Sequence, residues 1–284
     1  MTLIGFKKYH GLGNDFIIID GRFSLLPSSI VSAEKHLVIS LCKRHYGIGC
    51  DGIILILPPV AGGDFRMKIF NSDGSEPEMC GNGIRCLIRY ILDDSEDDFV
   101  DSFIVETLAG KIQINIEEGN IKVDMGSPIF APEKIPTTLP INERGIPQGR
   151  ITILDQDFLV SACSMGNPHA IIEVPTIKNI PLYEWGQKLE THPVFPKYTN
   201  VHFVQVKSRS EIEILIWERG CGPTLACGTG ACACLAVLAK LGKCNDLILV
   251  KLPGGELEIN WPKMKGSIFM IGDAKYVYSG SFNI

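Results

Sequence analysis

The chain carries one ordered set of landmarks twice, and any fold it adopts has to accommodate that repeat. Met79-Cys80-Gly81-Asn82-Gly83-Ile84-Arg85-Cys86 has a near copy in Ala226-Cys227-Gly228-Thr229-Gly230-Ala231-Cys232-Ala233. Each copy opens on a cysteine and a Gly-x-Gly turn, then enters an apolar, helix-like run: Leu87-Ile88-Arg89-Tyr90-Ile91-Leu92 in one, Cys234-Leu235-Ala236-Val237-Leu238-Ala239 in the other. With Cys80 set on Cys227, Phe70 falls on Trp217 and Asn71 on Glu218. Upstream, Gly13-Asn14 before Asp15-Phe16-Ile17-Ile18-Ile19-Asp20 matches Gly166-Asn167 before Pro168-His169-Ala170-Ile171-Ile172-Glu173. Downstream, the glycine-turned segment 105–115 matches 250–260. A single glycine-rich turn would mean little, but recurrence of the whole set in order implies a duplicated supersecondary unit.

Two similar domains are therefore expected, residues 1–127 with 273–284 as the first and 128–272 as the second, with an active-site cleft between them. Pro128, Pro132, Pro136 and Pro140 mark the expected link. Short β-branched or aromatic runs bounded by Gly, Pro and Asp predict strands at 15–20, 52–57, 65–70, 103–107 and 112–116. A helix is expected over 32–44, with Ser32 as N-cap and Leu37, Ile39 and Leu41 on its apolar face. The acidic stretch Asp93-Asp94-Ser95-Glu96-Asp97-Asp98 reads as a solvated loop. Strands wrapped around the helix after each cysteine make the fold class α+β.

Composition excludes several function classes. The net charge is −5, which argues against nucleic-acid and anionic-membrane partners. No apolar run approaches the ~20 residues that span a bilayer, and the first residues do not read as a signal peptide. The ten cysteines are expected to be reduced thiols in a cytosol-like compartment. Neither Cys-x-x-Cys nor His-Glu-x-x-His spacing occurs, so no metal site is expected.

Cysteine at the start of a helix has a particular chemistry. The helix end attracts negative charge and its free N–H groups hold an anion, and a thiol placed there can ionise near neutral pH. Two such thiols on opposite faces of one substrate allow one to remove a proton from carbon and the other to return it. The stereocentre is then inverted, while the two helix ends hold the developing charge. Cys42, Cys50, Cys86, Cys163, Cys232, Cys234 and Cys244 read as core residues, and Cys221 as an exposed turn residue without a role. His10, His36, His45, His192 and His202 read as structural or surface residues, and Arg85 and Arg89 as solvated positions on the first helix.

Together, Gly11-Leu12-Gly13-Asn14-Asp15-Phe16, Phe70-Asn71-Ser72-Asp73-Gly74-Ser75-Glu76, the two cysteine motifs, Met165-Gly166-Asn167-Pro168-His169 and Glu218-Arg219-Gly220 resemble the diaminopimelate epimerase family nearly end to end. The cysteine motifs alone would also suit proline racemase-like proteins; the Asn and Glu-Arg motifs narrow the match. The resemblance implies two pseudo-symmetric lobes, each a β-barrel-like sheet around a central helix. It implies cofactor-independent interconversion of LL- and meso-diaminopimelate, without pyridoxal phosphate, in lysine and peptidoglycan-precursor synthesis. It also implies a homodimer acting on a small molecule in the cytoplasm, or in a plastid if a transit peptide has been removed.

By the same resemblance, Cys80 and Cys227 are the catalytic bases, and N–H groups of Gly81, Asn82, Gly228 and Thr229 hold the reacting carboxylate. Asn71, Asn167, Asn200 and Arg219 grip the distal end, Glu218 takes the substrate ammonium with Asn14 nearby, and His169 supports the thiols. Many family members carry Gln where this chain has Gly52. A proline or hydroxyproline racemase and a non-enzymatic thiol redox sensor are the competing expectations.

Overall fold

Two helices hidden along nearly their whole length organise the strands of this protein, for which the computed structural model describes residues 2–23, 25–32, 34–95 and 101–284. Contacts divide the chain into two units, Met1–Val123 with Gly272–Ile284, and Asp124–Ile271.

The first unit contains β1 (Leu3–Gly11), β2 (Asn14–Asp20), α1 (Ser28–Val31), α2 (Lys35–Cys42), β3 (Gly52–Leu57), β4 (Phe65–Asn71), α3 (Gly81–Asp94), β5 (Ser102–Thr107), β6 (Gly110–Glu117) and β7 (Asn120–Asp124). The C-terminal strand Lys275–Asn283 joins it by pairing with β1. Taken across the sheet from that strand through β1, β2, β3, β4, β5, β6 and β7, the pairings run antiparallel, antiparallel, parallel, antiparallel, parallel, antiparallel, antiparallel.

The second unit contains β8 (Gln148–Ile153), β9 (Gln156–Ser164), β10 (Pro168–Glu173), α4 (Leu182–Glu190), β11 (Asn200–Ser208), β12 (Glu211–Glu218), β13 (Gly222–Pro223), α5 (Gly228–Lys240), β14 (Leu247–Leu252), β15 (Gly255–Asn260) and β16 (Phe269–Gly272). From β8 through β9, β10, β11, β12, β14 and β15 to β16 the succession of parallel and antiparallel pairings is the same. The repeat in the sequence is thus a repeat of topology. Its glycine-turned hairpins are Thr107↔Gly110 and Leu252↔Gly255, tight turns of the kind that set strand register.

Both central helices are largely buried, α5 because it is apolar almost throughout, and α3 although Asn82, Arg85, Arg89 and Asp93 line one of its faces. In α5 every residue from Gly228 to Ala239 except Thr229 is buried, and it packs on β9, β10, β11 and β15. In α3 Gly81 to Ile88, Tyr90 and Ile91 are buried, against β1 to β4 and the C-terminal strand. The strand β3, GIILIL, is buried on both faces, as continuous apolar strands are. A second core in the C-terminal unit gathers Phe158, Leu189, Phe195, Phe203 and Trp217.

Several expectations change here. Of the helix expected over 32–44 only α2 forms, beginning after Glu34; Ser32 is instead the C-cap of the separate α1, while Ala33 lies outside the described residues. The buried face of α2 is Val38, Leu41 and Cys42, a helical i, i+3, i+4 set, whereas Leu37, Ile39 and Leu41 follow a period of two that no helix face has. Asp93 and Asp94 are the end of α3 rather than loop. Acidic groups are unfavourable at a helix C-terminus, and Tyr9 Oη donating to Asp93 and Lys7 pairing with Asp94 (both 2.8 Å) offset this. Glu96, Asp97 and Asp98 lie outside the described residues. The proline-rich stretch packs into the second unit, with Ile135 fully buried and Ile129 bridged to Ser164. Arg85, expected to be solvated, is fully buried.

Because Ile88 and Leu235 fill the middles of the two central helices without exposure, Ile88→Ala and Leu235→Ala should each cost about 2–5 kcal/mol. A fall in the urea midpoint of either variant corresponding to less than about 1 kcal/mol would contradict the central placement of that helix.

Candidate active site

Cys80 and Cys227 are the N-caps of α3 and α5, both in extended backbone conformation. A helix start leaves its first N–H groups without intrahelical partners, and at α3 the Gly83 N–H donates to Cys80 Sγ at 3.4 Å. Each cap is then braced by the Asn at the start of the matching strand, Asn14 opening β2 and Asn167 just ahead of β10.

In the first unit the bracing runs in a fixed direction. Arg85, which can only donate, gives Nη2–H to Asn82 Oδ1 (2.8 Å). Asn82 Nδ2 donates to Asn14 Oδ1 (3.2 Å), and Asn14 Nδ2 donates to the Asp51 carboxylate (3.0 Å). Cys80 Sγ lies 4.0 Å from Asn14 Oδ1, so a carbonyl oxygen faces this half-buried thiol. Asp51 also accepts the Asp15 N–H and pairs with Arg44 (2.9 Å). Burial alone would raise the Asp15 carboxyl, but hydrogen bonds from Arg44 and Lys8 hold it below the usual range.

In the second unit Asn167 takes the place of Asn14 and Thr229 that of Asn82, with Asn167 Nδ2 donating to Thr229 Oγ1 at 3.4 Å. Thr229 Oγ1 lies 3.6 Å from Cys227 Sγ. The other end of Asn167 meets His169 Nε2 at 2.9 Å, and His169 Nδ1 meets His202 Nε2 at 2.9 Å. Both imidazoles are fully buried. Burial drives His169 well below the ordinary imidazole value, with His202 and Arg219 adding to the shift, and burial lowers His202 to about 3. The pair is neutral. The ring of His202 lies so close to α5 that a Cβ on Gly230 would collide with its Cε1, so only glycine fits there. His169, His202 and Cys227 bring potential ligand atoms within 4.8 Å of one another, but the imidazoles already spend their facing nitrogens on each other.

The thiol expected to be lowered by a helix end is raised at Cys227. Burial pushes it up and the Glu218 carboxylate adds to the rise, while Thr229 and the Gly230 N–H pull it partly back. Desolvation of a thiolate outweighs the partial charge of one helix end. Cys221 is exposed, and the seven cysteines read as core are buried.

The remaining candidates sit on the ends of β4 and β12. Asn71 is exposed and donates to Ser75 Oγ (2.9 Å). Glu218 closes β12, half-buried, and the exposed Arg219 follows it, its Nη1 donating to the Lys197 carbonyl (3.1 Å). Asn200 is 4% exposed, and its amide is engaged at both ends: Nδ2 donates to the Pro168 carbonyl and Oδ1 accepts the Arg219 N–H, both at 2.9 Å. Through Oδ1 it holds the Arg219 backbone in place. Glu190, which no motif in the sequence singles out, does the same from the opposite side. Its carboxylate accepts Trp217 Nε1–H (2.6 Å) and the Gly220 N–H (2.8 Å), bracketing Glu218 and Arg219. At the position of the family's Gln, a Cβ on Gly52 would lie 2.6 Å from the Phe70 carbonyl and 3.1 Å from the Phe16 ring. A side chain there requires both to move.

Two units of one topology, each with a cysteine heading a buried helix, share their fold with a class of solved structures. A PhzF-family phenazine biosynthesis protein of Bacillus anthracis superposes with a TM-score of 0.70 at 17% identity, over 100% of both chains. A hydroxyproline epimerase of Agrobacterium vitis, with trans-4-hydroxy-L-proline bound, gives 0.68 at 16% identity, over 99% of this chain and 91% of that one. Sequence comparison narrows the class. The family model described as diaminopimelate epimerase matches residues 6–131 and 161–277. Diaminopimelate epimerases of Prochlorococcus marinus are 51% identical over 281 residues in strain MIT 9313 (99% of this chain, 93% of that protein) and 53% over 280 in strain NATL1A (98% and 99%). That of Rippkaea orientalis is 45% identical over 283 residues, 99% of each. The chain belongs to the diaminopimelate epimerase family. No helix among the described residues is long and apolar enough to cross a membrane.

Since Glu190 accepts one buried and one part-buried N–H donor, Glu190→Gln turns an NH2 group towards one of them and should destabilise the second unit by about 1–3 kcal/mol. Trp217 fluorescence followed through urea unfolding checks this. An unchanged midpoint would mean the turn carrying Glu218 and Arg219 is held by other contacts.

Proposed function

We propose that the chain is an isomerase that interconverts LL- and meso-2,6-diaminopimelate in lysine biosynthesis, by two-base inversion at the α-carbon with Cys80 and Cys227 as acid and base. The observation that carries the reading is the near-full-length identity to proteins named diaminopimelate epimerase, 45–53%, with a cysteine heading the buried helix of each unit.

Removing the α-proton leaves a carbanion whose charge moves onto the adjacent carboxylate. N–H groups of Gly81 and Asn82 at one helix start, and of Gly228 and Thr229 at the other, supply donors aimed at that charge. One sulfur takes the proton as thiolate while the other gives its proton from the opposite face, so the roles reverse with direction and no cofactor is called for. The mechanism requires both sulfurs to flank one carbon. Glu218 accepts from the substrate ammonium, with Asn14 nearby, and His169 supports the thiols. Arg219, with Asn71, Asn167 and Asn200, takes the distal amino-acid end by charge-assisted hydrogen bonds, and Asn200 also holds the Arg219 backbone.

We also place the protein in the cytoplasm as a homodimer. Support for self-association comes from the strand Lys275–Asn283, which pairs with β1 alone among the described residues and leaves Tyr276, Val277 and Tyr278 at 50%, 45% and 39% exposure. An unprotected edge bearing apolar side chains invites a partner strand. Sedimentation at micromolar concentration should give a dimer that Tyr276→Lys weakens; a wild-type monomer would refute this part of the reading.

In deuterated water the purified protein should place deuterium at the α-carbon of diaminopimelate and leave proline untouched. Cys80→Ser and Cys227→Ser should each lower turnover on the order of 10²–10⁴-fold. Either variant turning over at the wild-type rate would rule out the two-base assignment, and exchange into proline but not diaminopimelate would rule out the substrate.

A further inference from the structure

The two buried imidazoles of the second unit constrain where protons sit near Cys227. A neutral histidine has one N–H and one bare nitrogen. His169 uses both nitrogens, one against Asn167 Oδ1 and one against His202 Nε2. His202 Nδ1 is buried with no hydrogen-bond partner among the described residues. Two arrangements satisfy these contacts. In the first, His202 Nε2–H donates to His169 Nδ1, His169 Nε2–H donates to Asn167 Oδ1, and His202 Nδ1 is a bare lone pair. In the second, the Asn167 amide is turned over, both imidazole bonds reverse, and His202 Nδ1 carries a buried hydrogen with no acceptor.

An orphaned buried N–H is a rarer defect than an acceptor with an unused lone pair, so the first arrangement is favoured. It is also the one that matches the Asn167 amide as oriented, with Nδ2 towards Thr229. Amide orientation is an assignment made from such networks, and here the unpartnered Nδ1 supplies an independent reason for it. Asn167 then occupies a lone pair of Thr229 Oγ1 and leaves the hydroxyl hydrogen for Cys227 Sγ, 3.6 Å away. In the reversed arrangement Thr229 spends that hydrogen on Asn167.

We infer that His202 is a positioning residue for Cys227: by donating to His169 it sets the direction of four successive hydrogen bonds, the last of which points the Thr229 hydroxyl at the sulfur. A hydroxyl donor favours the thiolate over the thiol, and a chain of neutral groups does this without adding a charge to the site. Glu218 is a charged group set against this sulfur, and the neutral imidazoles of His169 and His202 lie within 4.8 Å of it. Space-filling alone, with the His202 ring resting against the bare face of Gly230, would not choose which nitrogen holds the hydrogen. The inference rests on the epimerase reading only in giving Cys227 an anionic state to stabilise. Its test reads protons and thiol reactivity rather than turnover, so the two fail separately.

Long-range proton–nitrogen NMR on the full protein with 15N-labelled histidine should show His169 and His202 both neutral and both carrying hydrogen on Nε2. Hydrogen on His202 Nδ1 overturns the inference outright, and this measurement decides even if a variant fails to fold. Alkylation of Cys227 by iodoacetamide, followed on its own peptide by mass spectrometry across pH, supplies the second arm. His202→Met should slow it about threefold to tenfold below the midpoint, whereas His202→Gln, whose amide N–H replaces the donor, should restore most of the rate. Thr229→Val should slow it similarly, and adding His202→Met to Thr229→Val should change nothing further. Equal losses for Gln and Met, or additive losses in the double variant, would show a packing role only.

Discussion

A helix enclosed on all sides has to account for its first N–H groups within the protein or with a ligand, and the site follows from that constraint. In α3 and α5 the chain enters the helix through a cysteine followed by Gly-x-Gly, which keeps side chains away from those groups. Asn14, the first residue of β2, and Asn167, just ahead of β10, then reach the second residue of the respective helix, Asn82 or Thr229. A donor-rich end and a sulfur are produced together, in each unit, by the same short run of residues.

Much of the architecture was legible because the repeat is written in residues with local consequences. Glycine turns, β-branched runs and apolar helix faces each specify structure within a few positions, and β3 begins and ends where its sequence does. The hairpins Thr107↔Gly110 and Leu252↔Gly255 recur for the same reason. The expectation failed where local pattern competed with tertiary packing. Leu37, Ile39 and Leu41 look like a face in the sequence, but the core selects Val38, Leu41 and Cys42.

The polar residues that position the site were less legible, because their partners lie far away along the chain. Arg85 looks like one of two helix arginines, yet it is fully buried and steers the Asn82 amide. Glu190 finds Trp217 across 27 residues, and His169 finds His202 across 33. None of these pairs has a spacing rule. The lowered thiol expected from helix geometry was a partial argument of the same sort: it included the helix end but not the burial and the Glu218 carboxylate that raise Cys227.

Gly52 carries a different lesson. With the Phe70 carbonyl and the Phe16 ring pressed against the space its Cβ would fill, a larger residue is acceptable only after that ring and strand have shifted. An exchange of Gly52 for Gln is therefore more than an added side chain, because the ring and strand beside it have to be rebuilt along with it.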